Sequence, residues 1–104
     1  MYVCQWHLEI PYGKQREVVA IMTAWGKEKF ASSEFRRATG AKLMVGHIGE
    51  SASHIVDEYY FNSLADFELA LAGMGQPQFK PHSDALGPYI IPGTQEWKVF
   101  RVLG

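Results

Sequence analysis

The apolar residues of this chain change their spacing in a fixed order, two, 3.6, two, two, 3.6 and two, and few folds accommodate that order. Residues 2–10 alternate, with Tyr2, Cys4, Trp6, Leu8 and Ile10 on one side and Val3, Gln5, His7 and Glu9 on the other. This period of two predicts a strand, ended by the turn Pro11-Tyr12-Gly13. From Lys14 the period lengthens: Val18, Ile21, Met22 and Trp25 stand at i, i+3, i+4 and i+7, the stripe of an amphipathic helix reaching to about Phe30. Ser32 to Thr39 either continues that helix or forms a second short piece, and Gly26 is a point where it could break, because glycine costs a helix interior about 1 kcal/mol relative to alanine.

Two further β-rich runs follow, Lys42–Ile48 and His54–Phe61, separated by the small and polar residues 49–53. That spacing predicts a hairpin. Ser63, with Asp66 three residues on, marks the start of a second helix over Leu64–Met74, with Leu64, Phe67 and Leu71 as its buried stripe and Gly73 and Gly75 as its stop. Residues 75–94 hold four of the five prolines, and are expected to form a loop or lid in which Ser83–Leu86 could make one helical turn. Glu96–Leu103 alternates again and supplies the last strand. The resulting order, β-α-β-β-α-β, is that of a ferredoxin-like α+β domain with a four-stranded antiparallel sheet, and residues 1–104 are expected to form one domain.

Two helices can cover only one face of such a sheet, and an uncovered face normally reads polar. Here Val3, Met44 or Val45, Val56, Tyr60 and Phe100 put apolar groups on both faces. The simplest cover for the second face is the sheet of another copy across a two-fold axis, so a homodimer is expected.

Composition narrows the function classes. Hydrophobic residues make up 47% of the 104, which excludes a disordered chain, and the net charge of -1 has no clustered basic face of the kind nucleic acid requires. The lone Cys4 can form no intrachain disulfide, and the sequence has neither a metal-ligand spacing nor a phosphate loop nor a nucleophile elbow, so neither metal nor cofactor is expected. No stretch approaches the ~20 apolar residues of a membrane span, and no leader pattern opens the chain. A soluble, cytoplasmic protein is the expectation.

The stretch His54-Ile-Val-Asp-Glu-Tyr-Tyr-Phe-Asn-Ser-Leu-Ala-Asp-Phe-Glu-Leu-Ala-Leu resembles the strand-to-helix junction of the dimeric α+β barrel superfamily, especially its NIPSNAP-like and EthD-like branches. Phe79-Lys-Pro-His-Ser-Asp-Ala and the closing strand fit the same order of elements. The resemblance implies a homodimer with a pocket in each subunit between the helices and the barrel-facing sheet. It also implies uses that range from cofactor-independent oxygenation and lactone isomerisation to haem degradation and the binding of small apolar molecules. Haem degraders in the superfamily carry a ligating histidine on a helix, and neither of the two expected helices contains one.

If Phe61 points to the helices, as the resemblance implies, then Val56, Glu58 and Tyr60 point into the barrel, together with Gln5, His7 and Glu9. His7 beside Glu58 would make an acid/base pair, with Tyr60 as a phenolic donor to a developing oxyanion. Each also has a bland reading, in which the same groups merely hydrogen-bond within a polar dimer interface. Gln5, His47, His82 and Arg101 are the further candidates for holding a substrate. Arg101 would grip a carboxylate and His82 would close from the proline-rich segment, against the alternatives of a surface ion pair and an exposed loop residue. Cys4, Trp6 and Trp25 are expected in the core. Two functions from different classes therefore stay open: a cofactor-independent monooxygenase or isomerase acting on an apolar or aromatic molecule, and a non-catalytic binding or interaction protein.

Overall fold

Strand β1 (Tyr2–Glu9) is the axis of the molecule, because its alternation buries one row of side chains and leaves the other on an open face. The computed structural model describes residues 1–104. After the turn at Gly13, which takes the left-handed backbone (φ 82°), α1 (Gln15–Ser32) lies across the sheet on Val18, Met22 and Trp25 and runs through Gly26 without a break. A 3-10 turn, Glu34–Arg37, follows and buries Phe35. Strands β2 (Gly40–Val45) and β3 (His54–Phe61) make the expected hairpin. The strand order is β2-β3-β1-β4, with β4 (Glu96–Arg101) antiparallel to β1. No helix is long and apolar enough to cross a membrane.

β2 ends at Val45, short of the expected Ile48, because Gly46 folds back on the loop. A Cβ at Gly46 would sit 1.9 Å from the Ser51 carbonyl oxygen, so only glycine permits this close approach. The Gly46 N–H still reaches the His54 carbonyl at 3.0 Å, closing the ladder.

Helix α2 (Leu64–Ala72) begins where Ser63 accepts the Asp66 N–H at 3.2 Å, the expected cap. Its buried stripe is not the expected one. Phe67 and Ala70 are buried, whereas Leu64 and Leu71 stand 42% and 37% exposed. The rotation of the helix is set by Phe67, whose ring packs between Phe61 (5.7 Å) and Trp97 (5.3 Å). Once that aromatic is seated, Ala70 one turn on faces the sheet and the leucines turn outward.

The segment 75–94 departs most from expectation. The expected turn at Ser83–Leu86 is the end of a longer helix, α3 (Lys80–Leu86), and in place of the rest of the loop stand 3-10 turns at Pro77–Phe79 and Gly87–Tyr89. Three of the four prolines, Pro77, Pro81 and Pro88, stand at the first or second positions of these elements, where their missing N–H has no partner to lose. Phe79 and Leu86 anchor the segment in the core beside Trp25, Ile10 and Leu8.

All helices lie on the side of the sheet defined by Cys4, Trp6 and Leu8. The other face carries Val3, Gln5, His7 and Glu9 of β1, Lys42 and Met44 of β2, His54, Val56, Glu58 and Tyr60 of β3, and Glu96, Lys98 and Phe100 of β4. Phe100 is 54% exposed there, opposite the half-buried Val3, while the half-buried Val56 lies across from His7 on β3.

Candidate functional site

Two polar constellations stand on opposite faces of the sheet. On the open face, the pairing Gln5↔Glu58 and Glu9↔His54 sets polar side chains of β1 against those of β3, and the alternation leaves His7 between them. The result is a hydrogen-bonded chain of six side chains. Tyr60 Oη donates to Glu58 Oε2, and Gln5 Nε2 donates to Glu58 Oε1 at 2.7 Å. The Gln5 carbonyl then accepts from His7 Nε2 at 2.8 Å, His7 Nδ1 meets His54 Nε2 at 2.7 Å, and His54 Nδ1 meets Glu9 Oε1 at 2.8 Å.

His7 therefore does not touch Glu58. Opposite it in the ladder is Val56, and Gln5 bridges the two expected partners. The His7 imidazole is held below the usual histidine range, first by burial and then by His54 and Lys98, against the opposing pull of Glu96 and Glu50. A neutral ring that donates from Nε2 and accepts at Nδ1 fits that environment. The Tyr60 phenol is pushed up, chiefly by its bond to the Glu58 carboxylate.

The remaining expected residues are elsewhere. His47 lies beyond the end of β2 and is exposed. Arg101 pairs with Tyr2 in the ladder and so belongs to the helix side of the sheet, where it too is exposed. His82 is on α3, its ring stacked on Trp25 at 6.2 Å, so it is neither an exposed loop histidine nor near His7. Because α3 carries His82, the expectation that no helix bears a histidine does not hold for the folded chain.

The second constellation was not anticipated. Lys29, on the last turns of α1, is 1% exposed and donates to Asp57 Oδ2 at 3.2 Å and to Tyr59 Oη at 3.0 Å, while Tyr59 Oη donates to Asp57 Oδ2 at 2.6 Å. The ammonium also lies 4.6 Å from the Trp25 ring centroid and 5.1 Å from that of Phe35, so aromatic faces supply the rest of its surroundings. Burial draws the Lys29 pKa down and Asp57 opposes it, while burial first and Asp57 second push the Tyr59 phenol far up. Two sequence signals pointed here: Lys29 follows Trp25 by four residues on the apolar stripe, and Asp57 has the buried parity of Ile55, Tyr59 and Phe61. A polar residue on a buried parity needs a partner.

Asp57 and Tyr59 line a cleft of about 180 Å³ between α1 and the strands β2 and β3, with Met22, Gly26, Phe30 and Leu43. Ligand sites commonly measure ~300–1,000 Å³, so this cleft is small for one. A larger bowl of about 660 Å³ lies at the β1–α1 turn, lined by Ile10, Tyr12, Arg16 and Ser53 among others, and none of the six chain residues borders it.

No protein-family model matches this sequence, and no curated protein matches it. Solved structures do. A NIPSNAP domain protein from Burkholderia xenovorans is 16% identical with a TM-score of 0.76, the match covering 99% of this chain and 95% of that one. A NIPSNAP family protein from Agrobacterium tumefaciens is 18% identical over 96% and 90% of the two chains (TM-score 0.73). A candidate antibiotic biosynthesis monooxygenase from Caulobacter crescentus is 13% identical over 99% and 90% (TM-score 0.72). The likeness is one of fold: this chain has the ferredoxin-like α+β fold that these proteins share, a four-stranded antiparallel sheet with helices.

Proposed function

We propose that the chain works as a homodimer joined through its open sheet face, and that it acts there on a small apolar or aromatic molecule by cofactor-independent oxygenation or isomerisation. The observation that carries this reading is the six-membered polar chain running through a face otherwise made of Val3, Met44, Val56 and Phe100. Such a face, left in water, would expose apolar surface that a second sheet buries.

Within that reading His7, Glu58 and Tyr60 are the proton-handling groups and Gln5 links them. A proton leaving a phenol or an activated carbon passes to the Glu58 carboxylate, while the Tyr60 hydroxyl turns to donate to the oxyanion left behind. The anion then adds dioxygen and recovers the proton from Glu58 as a hydroperoxide, which loses water to leave a carbonyl, or it takes the proton back at another carbon.

One observation favours the second, non-catalytic reading. Both ring nitrogens of His7 are already engaged, by Gln5 and His54, which suits a structural element of an interface. A panel of phenols and naphthols, followed by ligand fluorescence on the intact protein, separates the two. Catalysis at this face requires saturable binding that Tyr60→Phe weakens several-fold while the oligomer persists. Binding unchanged in Tyr60→Phe, with a dimer loosened by His7→Gln, supports the interface role and removes the enzymatic one.

A further inference from the structure

The hydrogen bonds of the open-face chain have a polarity, and it demands a positive charge at one atom. Glu58 is an acceptor at both oxygens, so Gln5 must turn its amide nitrogen toward Glu58 and its carbonyl toward His7. His7 Nε2 must then carry a proton. One more proton lies between His7 Nδ1 and His54 Nε2. That leaves His54 Nδ1 at 2.8 Å from Glu9 Oε1, an acceptor, so this nitrogen also needs a positive partner. Two neutral imidazoles carry two N–H groups between them, and the chain has three places to fill.

Either a third proton, which makes His54 an imidazolium paired with Glu9, or a cation bound at His54 Nδ1 fills the third place. The surroundings supply the cation's other ligands. Glu9 and His54 face each other on the last rung of the β1–β3 ladder, and Glu50 reaches the same spot from the hairpin loop. One ligand atom from each of the three residues lies within 4.8 Å of the other two. The loop is folded firmly: His54 N–H donates to the Ser51 carbonyl, Ser53 N–H to Ser51 Oγ and Ser51 N–H to Glu50 Oε1, each at 3.0 Å. Bonds of ~2.0 Å to nitrogen and oxygen place tetrahedral ligand atoms ~3.3 Å apart, a contraction that the exposed Glu50 side chain makes by rotating.

We propose that Glu9, Glu50 and His54 form a binding site for a divalent first-row transition ion, Zn²⁺ or Co²⁺ in kind, which ties the hairpin loop to the end of the sheet. One imidazole and two carboxylates favour such ions over Mg²⁺ or Ca²⁺, which prefer all-oxygen sets. His7, Gln5 and Glu58 then hold the ligating ring by its far nitrogen, as outer groups do around metal-bound histidines. The site stands apart from the reading above, since it needs neither a dimer nor a substrate.

The test is titration of the tag-free, chelator-treated protein with Zn²⁺ by calorimetry and with Co²⁺ by visible absorption. One ion per chain is expected, with the intense visible bands of four-coordinate Co²⁺. Glu50→Gln, on an exposed loop where folding does not depend on it, and His54→Gln should each weaken binding at least tenfold, His7→Gln by about tenfold, and His47→Gln not at all. No one-to-one binding of either ion, or binding that Glu50→Gln and His54→Gln leave unchanged, overturns the proposal and leaves His54 and Glu9 as a proton-bridged pair.

Discussion

Lys29 is the residue whose surroundings make the firmest claims. Its ammonium is buried against Asp57, so removing one partner strands the other charge. Lys29→Met is expected to cost about 3–5 kcal/mol, as broken buried pairs do. Adding Asp57→Leu should recover most of that loss, and denaturant melts of the single and double variants check both. Tyr59 gives the alkaline behaviour of the fold. Its native pKa is raised above an unfolded value near ~10, so its contribution is complete below pH ~10 and is lost as pH rises beyond it. Lys29 has the opposite sign, because its native pKa is depressed and the fold gains as pH rises toward ~10.4. Since the Lys29 gain ends near pH ~10.4, where the Tyr59 loss is already under way, stability should fall above pH ~10.4, and Tyr59→Phe should flatten that fall. Burial raises the Cys4 thiol to about 11, so Cys4 should react with disulfide reagents at neutral pH only at the rate of unfolding. Which side of β1 or β3 a residue faces was legible, because a period of two assigns sides without knowledge of partners. Which residues touch was not. His7 was expected beside Glu58, yet Gln5 stands between them, since contacts depend on the register of strands some fifty residues apart. His54 escaped notice for the same reason: its role comes only from facing Glu9.

Elements came through the sequence in proportion to how local their causes are. β3 was legible to the residue, bounded by a loop of small residues and a serine cap. α3 was legible only as the single turn Ser83–Leu86, because prolines read as breakers, whereas here they open short turns that tertiary anchors, Phe79 and Leu86, then hold. α2 shows the limit of a stripe in a nine-residue helix, where one aromatic contact outweighs the leucine spacing. At this scale, two substitutions measure the local terms. Gly26 lies in mid-α1 with nothing within 4 Å of where a Cβ would be. Gly26→Ala should therefore raise stability by about 1 kcal/mol, seen as a higher thermal midpoint. Ser63→Ala removes the cap of α2 and should cost about 1 kcal/mol in the same measurement.

For the whole molecule, one face of the sheet holds the core and the other holds the polar chain and an apolar remainder. That division was legible from the strands alone, since β1 and β3 carry apolar groups on both sides while the helices, all on one side, cover only Cys4, Trp6, Leu8 and their neighbours. Phe100, on the open face, should matter little in a monomer and much in a dimer, so Phe100→Glu is expected to dissociate the pair without unfolding the chain. Catalysis, binding or neither, everything assigned to that face other than the ion site rests on its being covered. Light scattering coupled to gel filtration at micromolar concentration tests this directly. A mass of twice 11.7 kDa for the wild type, falling to 11.7 kDa in Phe100→Glu, is the result expected of a covered face. A wild type that runs at 11.7 kDa throughout would contradict it.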